Sequence, residues 1–92
     1  MFVVVAYDIA DDKRRIKVMK LLEGYGTHMQ ESVFECNLEA PVYREMVSRL
    51  RKSIRADQDN VRLYHLCHAD IKRIEQIGIG LPAPWMQTFR IV

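Results

Sequence analysis

The sequence predicts an α+β domain, with two helices packed on one face of an antiparallel sheet. Three observations carry this reading. Residues 2–9 form one apolar run, 12–23 and 41–56 repeat apolar residues at helical spacing, and 27–38 and 61–67 turn to extended, alternating patterns. Their order is β-α-β-β-α-β, the ferredoxin-like arrangement, and a further alternation over 73–77 adds a short C-terminal edge strand.

Each element has a local reason. In Phe2-Val3-Val4-Val5-Ala6-Tyr7-Asp8-Ile9, four of the first six residues are Phe or Val, which suits a central, buried strand. Asp11 or Asp12 supplies the N-cap of the first helix. Ile16, Met19 and Leu22, flanked by Val18, Leu21 and Tyr25, make its apolar stripe, with Lys13, Lys17 and Lys20 opposite. Gly24-Tyr25-Gly26 stops it. Gln30-Glu31 bends the next stretch into two strands, with Phe34, Cys36 and Leu38 on one face. Pro41 stands in the first turn of the second helix, whose stripe is Tyr43, Met46, Val47, Leu50 and Ile54. Glu45 and Arg49 are spaced to pair along that helix. Asp57-Gln58-Asp59-Asn60 is a polar turn, Val61 to Cys67 alternates strictly, and His68 to Lys72 fits one helical turn. The 92 residues make one small domain, read as 1–78, with a tail over 79–92 that is apolar enough to dock on its own sheet or a partner's. Trp85 in that tail either anchors to a partner or covers its own core.

Asp8 ends the apolar strand. A carboxylate buried there costs several kcal/mol to desolvate unless an Arg, backbone amides or a divalent cation compensates. The charged stretch that follows, Asp11-Asp12-Lys13-Arg14-Arg15, suggests a metal or phosphate site. The alternative is that Asp8 caps a turn or the next helix. The arrangement also leaves one sheet face bare. Two chains packing sheet to sheet would cover it, and a two-fold axis would set Asp8 opposite its own copy. Two facing carboxylates, with waters, would suit Mg²⁺.

Charge is unevenly divided. The helical stretches 12–23 and 41–56 hold ten bases against three acids, a net of +7, while the rest holds four against nine, a net of −5. A basic helical layer suits a polyanion such as nucleic acid. The bland alternative is a solvated helix face.

Other chemistries find little support. His28, His65 and His68 fit no zinc spacing. Gly78-Ile79-Gly80 follows no strand–helix pattern and is no phosphate loop. Cys36 and Cys67 lack a CxxC partner and read as reduced core residues. Tyr7, Phe34 and Tyr64 either stack RNA bases on the sheet or, with no RNP-type run around them, belong to the core or a dimer interface. No stretch approaches the roughly 18 apolar residues of a membrane span, and no basic leader precedes the first strand. The expected compartment is the cytoplasm, with no membrane partner.

The strand Val3-Val4-Val5-Ala6-Tyr7-Asp8-Ile9 followed by Asp11-Asp12-Lys13-Arg14-Arg15 is distinctive when taken with Leu22-Glu23-Gly24-Tyr25-Gly26, Gln30-Glu31-Ser32-Val33-Phe34-Glu35-Cys36 and Asp59-Asn60-Val61-Arg62-Leu63-Tyr64. Over nearly its whole length the chain resembles the CRISPR-associated protein 2 family, the small partner of the integrase in the adaptation module. The resemblance implies a ferredoxin-like homodimer in which two copies of Asp8 face each other and bind Mg²⁺, or Mn²⁺ in its place. It implies spacer acquisition, with the dimer bridging two integrase dimers and holding duplex DNA through Lys13, Arg14, Arg15 and Lys17. It also implies metal-dependent endonuclease activity on DNA or single-stranded RNA, with Asp8 as the catalytic residue. A structural DNA adaptor in which Asp8 is architectural is the second reading, and an mRNA-cleaving toxin the third. The tail from Ile79 onward is the least family-like part.

Overall fold

The computed structural model describes residues 1–79. Seven elements follow one another: β1 (Phe2–Asp8), α1 (Asp12–Glu23), β2 (Thr27–Gln30), β3 (Val33–Asn37), α2 (Ala40–Ser53), β4 (Asn60–Leu66) and the short α3 (His68–Lys72). The sheet runs β2-β3-β1-β4, with each neighbouring pair antiparallel, which is the expected ferredoxin-like order. β1 is thus an inner strand, paired along one edge with β3 and along the other with all seven residues of β4.

Alternation along β1 divides the two sheet faces. Val3, Val5 and Tyr7 are buried, while Phe2, Val4 and Ala6 are only half-buried. The buried set packs against Phe34 and Cys36 of β3, Val18 and Leu22 of α1, and Met46 and Leu50 of α2. Both helices therefore lie on one face. The other face presents Phe2, Val4, Ala6, Val33, Glu35, Arg62, Tyr64 and Leu66, with Val4 set between Glu35 and Tyr64 in the ladder. Tyr64 is 48% exposed there. Of the three candidate stacking rings, Tyr7 and Phe34 belong to the core and only Tyr64 lies on the open face.

Local chemistry explains the boundaries. The Asp11 carboxylate accepts from the Arg14 amide at 2.9 Å, the N-cap bond of α1. Gly26 follows that helix where a side chain has no room. A Cβ there would lie 2.5 Å from both Cys36 Sγ and the Glu35 carbonyl oxygen. β2 and β3 meet in a hairpin with an irregular register between His28 and Gln30.

Three expectations need correction. The second helix ends at Ser53, not 56, because the Arg55 amide leaves the helical ladder and donates to Asp59 Oδ2 at 2.8 Å. Ile16 does not join the α1 core stripe and is 49% exposed. Residues 73–77, expected as an edge strand, lie in no strand of this chain. At Cys67 the amide donates to Asp70 Oδ2 at 3.1 Å, which starts α3 and turns the backbone off the sheet before it can pair with β4. The expected docking of the tail, and with it Trp85, lies outside the described residues from Gly80 on.

Candidate functional site

Asp8 closes β1 at the register position opposite Asn60. It follows Val4 and Ala6 on the open face and is exposed, so the expectation of a buried strand-end carboxylate is corrected. The buried carboxylate of the domain is Asp59, whose side chain is fully shielded from solvent. Its Oδ1 accepts from the Ala10 amide at 3.1 Å and Arg14 Nη2 at 3.1 Å. Its Oδ2 accepts from Arg14 Nε at 2.9 Å and the Arg55 amide at 2.8 Å. These are the compensations that burial of a carboxylate demands, a guanidinium in fork geometry and two backbone donors. The Arg14 bond, assisted by those amides, holds the Asp59 carboxyl well below the usual range.

Two of the four predicted basic residues are engaged within the fold, Arg14 in this clasp and Arg15 beside it. Arg14 is committed to Asp59 and also reaches Gln58 Oε1 at 3.2 Å. Arg15 donates to the Ile9 carbonyl at 3.2 Å and pairs with Asp12, so it braces the turn between β1 and α1. Lys13 and Lys17 make no ion pair among the described residues. The expected Glu45–Arg49 pair is also replaced. Arg49 Nη1 donates to the Tyr25 hydroxyl at 2.9 Å, with the guanidinium 5.6 Å from that ring's centre.

A cleft of about 450 Å³ opens beside Asp8, lined by Tyr7, Arg15, Ile16, His28, Glu31 and Ser32 among others. Its walls are fixed from several directions. The Tyr7 amide donates to the Ser32 carbonyl and the Tyr7 hydroxyl to the Glu31 carbonyl, both at 3.1 Å. The His28 ring stacks on Phe34 with centroids 4.4 Å apart. Exposed Ile16, misplaced in the core by its spacing, finds its position here. The cleft lining includes the carboxylates Asp8 and Glu31, the His28 imidazole and the Arg15 guanidinium, groups able to bind a cation, take up a proton and meet an anion. The described residues contain no cluster of three or more His, Cys, Asp or Glu suited to hold a metal. A hydrated Mg²⁺ needs only one or two carboxylates beside water and phosphate oxygens, and the exposed Asp8 fits that donor set.

Sequence reasoning missed Asp59, which sits in a turn rich in polar residues and 45 positions from its partner Arg14. It also missed His28 and Glu31 as neighbours of Asp8, since the β2–β3 hairpin brings them there. Cys36 is buried, and its thiol is pushed up to about 11, which leaves it inert. Cys67 is exposed, against the expectation of a core residue. No described helix is long and apolar enough to cross a membrane.

A small ferredoxin-like domain with a bare sheet face and a strand-end carboxylate defines the class of protein. Residues 1–74 match the family model described as CRISPR associated protein Cas2. The chain is similar to CRISPR-associated endoribonuclease Cas2 1 of Chloroflexus aurantiacus, 45% identical over 93 residues that span the whole of both chains. It is similar to CRISPR-associated endonuclease Cas2 2 of Thermus thermophilus, 36% identical over 88 residues, 96% of this chain and 92% of the relative. Among solved structures it is similar to a chain of a partial Cas6-RT-Cas1–Cas2 complex, with TM-score 0.67, 30% identity, and coverage of 83% of this chain and 89% of that one. The chain belongs to the Cas2 family.

Proposed function

We propose that this protein serves CRISPR adaptation as a homodimer that joins the integrase Cas1, holds nucleic acid, and hydrolyses phosphodiester bonds with Mg²⁺ held between two copies of Asp8. The observation that carries the reading is the open sheet face, apolar along Phe2, Val4, Ala6 and Val33 and ending in the exposed Asp8. Apolar surface of this kind favours a second copy of itself, and a two-fold axis there makes the interface self-complementary. Bound Mg²⁺ would activate water or stabilise the departing oxygen. His28 lines the cleft beside Asp8, placed to take a proton. The names of the relatives, endoribonuclease and endonuclease, support hydrolysis of a nucleic acid, and the Cas1–Cas2 complex supports the integrase as partner.

A second reading, a DNA adaptor without catalysis, is favoured by the exposed Lys13 and Lys17, which make no ion pair among the described residues and are open to phosphates. One assay separates the two. Purified protein is incubated with Mg²⁺ or Mn²⁺ and labelled duplex DNA or single-stranded RNA, beside Asp8→Ala. Cleavage that is lost with EDTA and in the variant supports the nuclease. Equal cleavage by wild type and Asp8→Ala, or none by either beside salt-sensitive duplex binding, sinks it and leaves the adaptor.

A further inference from the structure

The helical layer carries two adjoining basic clefts away from Asp8. The first, about 440 Å³, lies between α1 and α2 and is lined by Lys17, Lys20, Leu21, Arg49, Lys52 and Ser53. The second, about 480 Å³, lies on the far side of α2 and is lined by Arg44, Val47, Ser48, Arg51 and Lys52. Lys52 belongs to both, so the two form one track across α2. No acidic side chain lines either cleft. Lys17, Lys20 and Lys52 make no ion pair among the described residues. Arg49 is held at the first cleft by its bond to Tyr25, which fixes a guanidinium at low entropic cost.

At the beginning of α1, Lys13 makes no ion pair among the described residues but lines neither cleft, and its two neighbours are engaged. Arg14 is committed to Asp59 and Arg15 to Asp12 and the Ile9 carbonyl. A phosphate arriving there must compete with carboxylates already in place. A concave surface whose charged lining is all cationic also focuses positive potential, which a ridge of paired charges does not.

We propose that the track through Lys17, Lys20, Arg49 and Lys52, continued by Arg44 and Arg51, is the seat of the phosphodiester backbone on this protein. The inference rests on the nucleic-acid reading above and relocates the contact from the start of α1 to the α1–α2 groove. Sheet-to-sheet pairing leaves this track outward on both copies.

The test measures binding of the full chain to a labelled DNA duplex and to single-stranded RNA across a salt series. Lys20→Ala/Lys52→Ala is compared with a charge-matched control outside both clefts, Lys72→Ala/Arg73→Ala, with folding checked by circular dichroism. Loss of two duplex contacts lowers the log–log salt slope by about 1.8 and weakens binding roughly 60-fold at about 0.1 M salt; on single-stranded RNA the slope falls by about 1.4. The arm that shows the loss identifies the source of the phosphodiester. A slope unchanged in the groove variant but reduced in Arg14→Ala/Arg15→Ala overturns the track and spares the nucleic-acid reading. Equal losses in groove variant and control also overturn it. A wild-type chain that binds neither probe at low salt overturns the reading and the track together.

Discussion

Replacing Phe34 with Ala tests the centre of the core directly. Phe34 has no exposed surface, sits opposite Val5 in the β1–β3 ladder and carries the His28 ring on its face. Tyr7 lies 6.4 Å away, centroid to centroid. The strand backbones on both sides are tied by ladder bonds and cannot close on the void, so the cost belongs in the usual range for such truncations, about 3–5 kcal/mol. Unfolding entropy of about 2.1 cal/mol/K per residue gives about 0.19 kcal/mol/K for 92 residues. The melting temperature is then expected to fall by roughly 15–25 °C. Calorimetry at one fixed protein concentration is the assay, because self-association shifts the midpoint. Phe34→Leu, which keeps more of the volume, is expected to fall less and serves if the Ala variant does not fold. A drop under about 5 °C for Phe34→Ala refutes the argument, since only a collapsible or peripheral site costs so little.

Two further outcomes follow from titrating groups. Asp59 has its pKa lowered in the folded state, so its stabilisation is present above the unfolded value of about 3.9 and is lost as the pH falls through the folded one. Urea midpoints of Asp59→Asn should therefore lie well below wild type near neutrality and converge with it in acid; a gap that ignores pH removes the clasp as its cause. Glu35 sits half-buried on the open face, with Oε2 shielded and unpartnered, and burial pushes its carboxyl up. Sheet-to-sheet pairing buries it further, so sedimentation should show association strengthening as the pH falls, and Glu35→Gln should pair more tightly than wild type near neutrality with a smaller pH dependence. A Glu35→Gln chain that associates as weakly as wild type near neutrality argues against this face as the interface.

The sequence was informative wherever a pattern repeats along the chain. The stripe Met46–Leu50, the N-cap at Asp11 and the alternation around Phe34 and Cys36 each depend on near neighbours, and all three stand in the structure. It failed where two distant segments meet. The physical rule that a buried strand-end carboxylate needs an Arg or backbone amides was sound, but it applied to Asp59 and not to Asp8. Alternation along β1 places Asp8 on the face the helices leave open, and only the topology reveals which face that is. Charge totals are blind to pairing for the same reason. Arg14 and Arg15 count as free cations in a composition, while in the fold they face carboxylates. Lys20 and Lys52, far apart in the chain, share a groove that no spacing rule connects.

The Asp59 clasp also bears on the order in which the domain assembles. Its bonds to Ala10 and Arg14 span 49 and 45 residues, so closing them costs the entropy of a long loop. Contacts that form after the folding barrier leave the forward rate nearly untouched when weakened while the reverse rate rises, and this is the outcome expected of Asp59→Asn in stopped-flow kinetics. On that outcome Asp59 is a latch that sets how long the native domain lasts between openings.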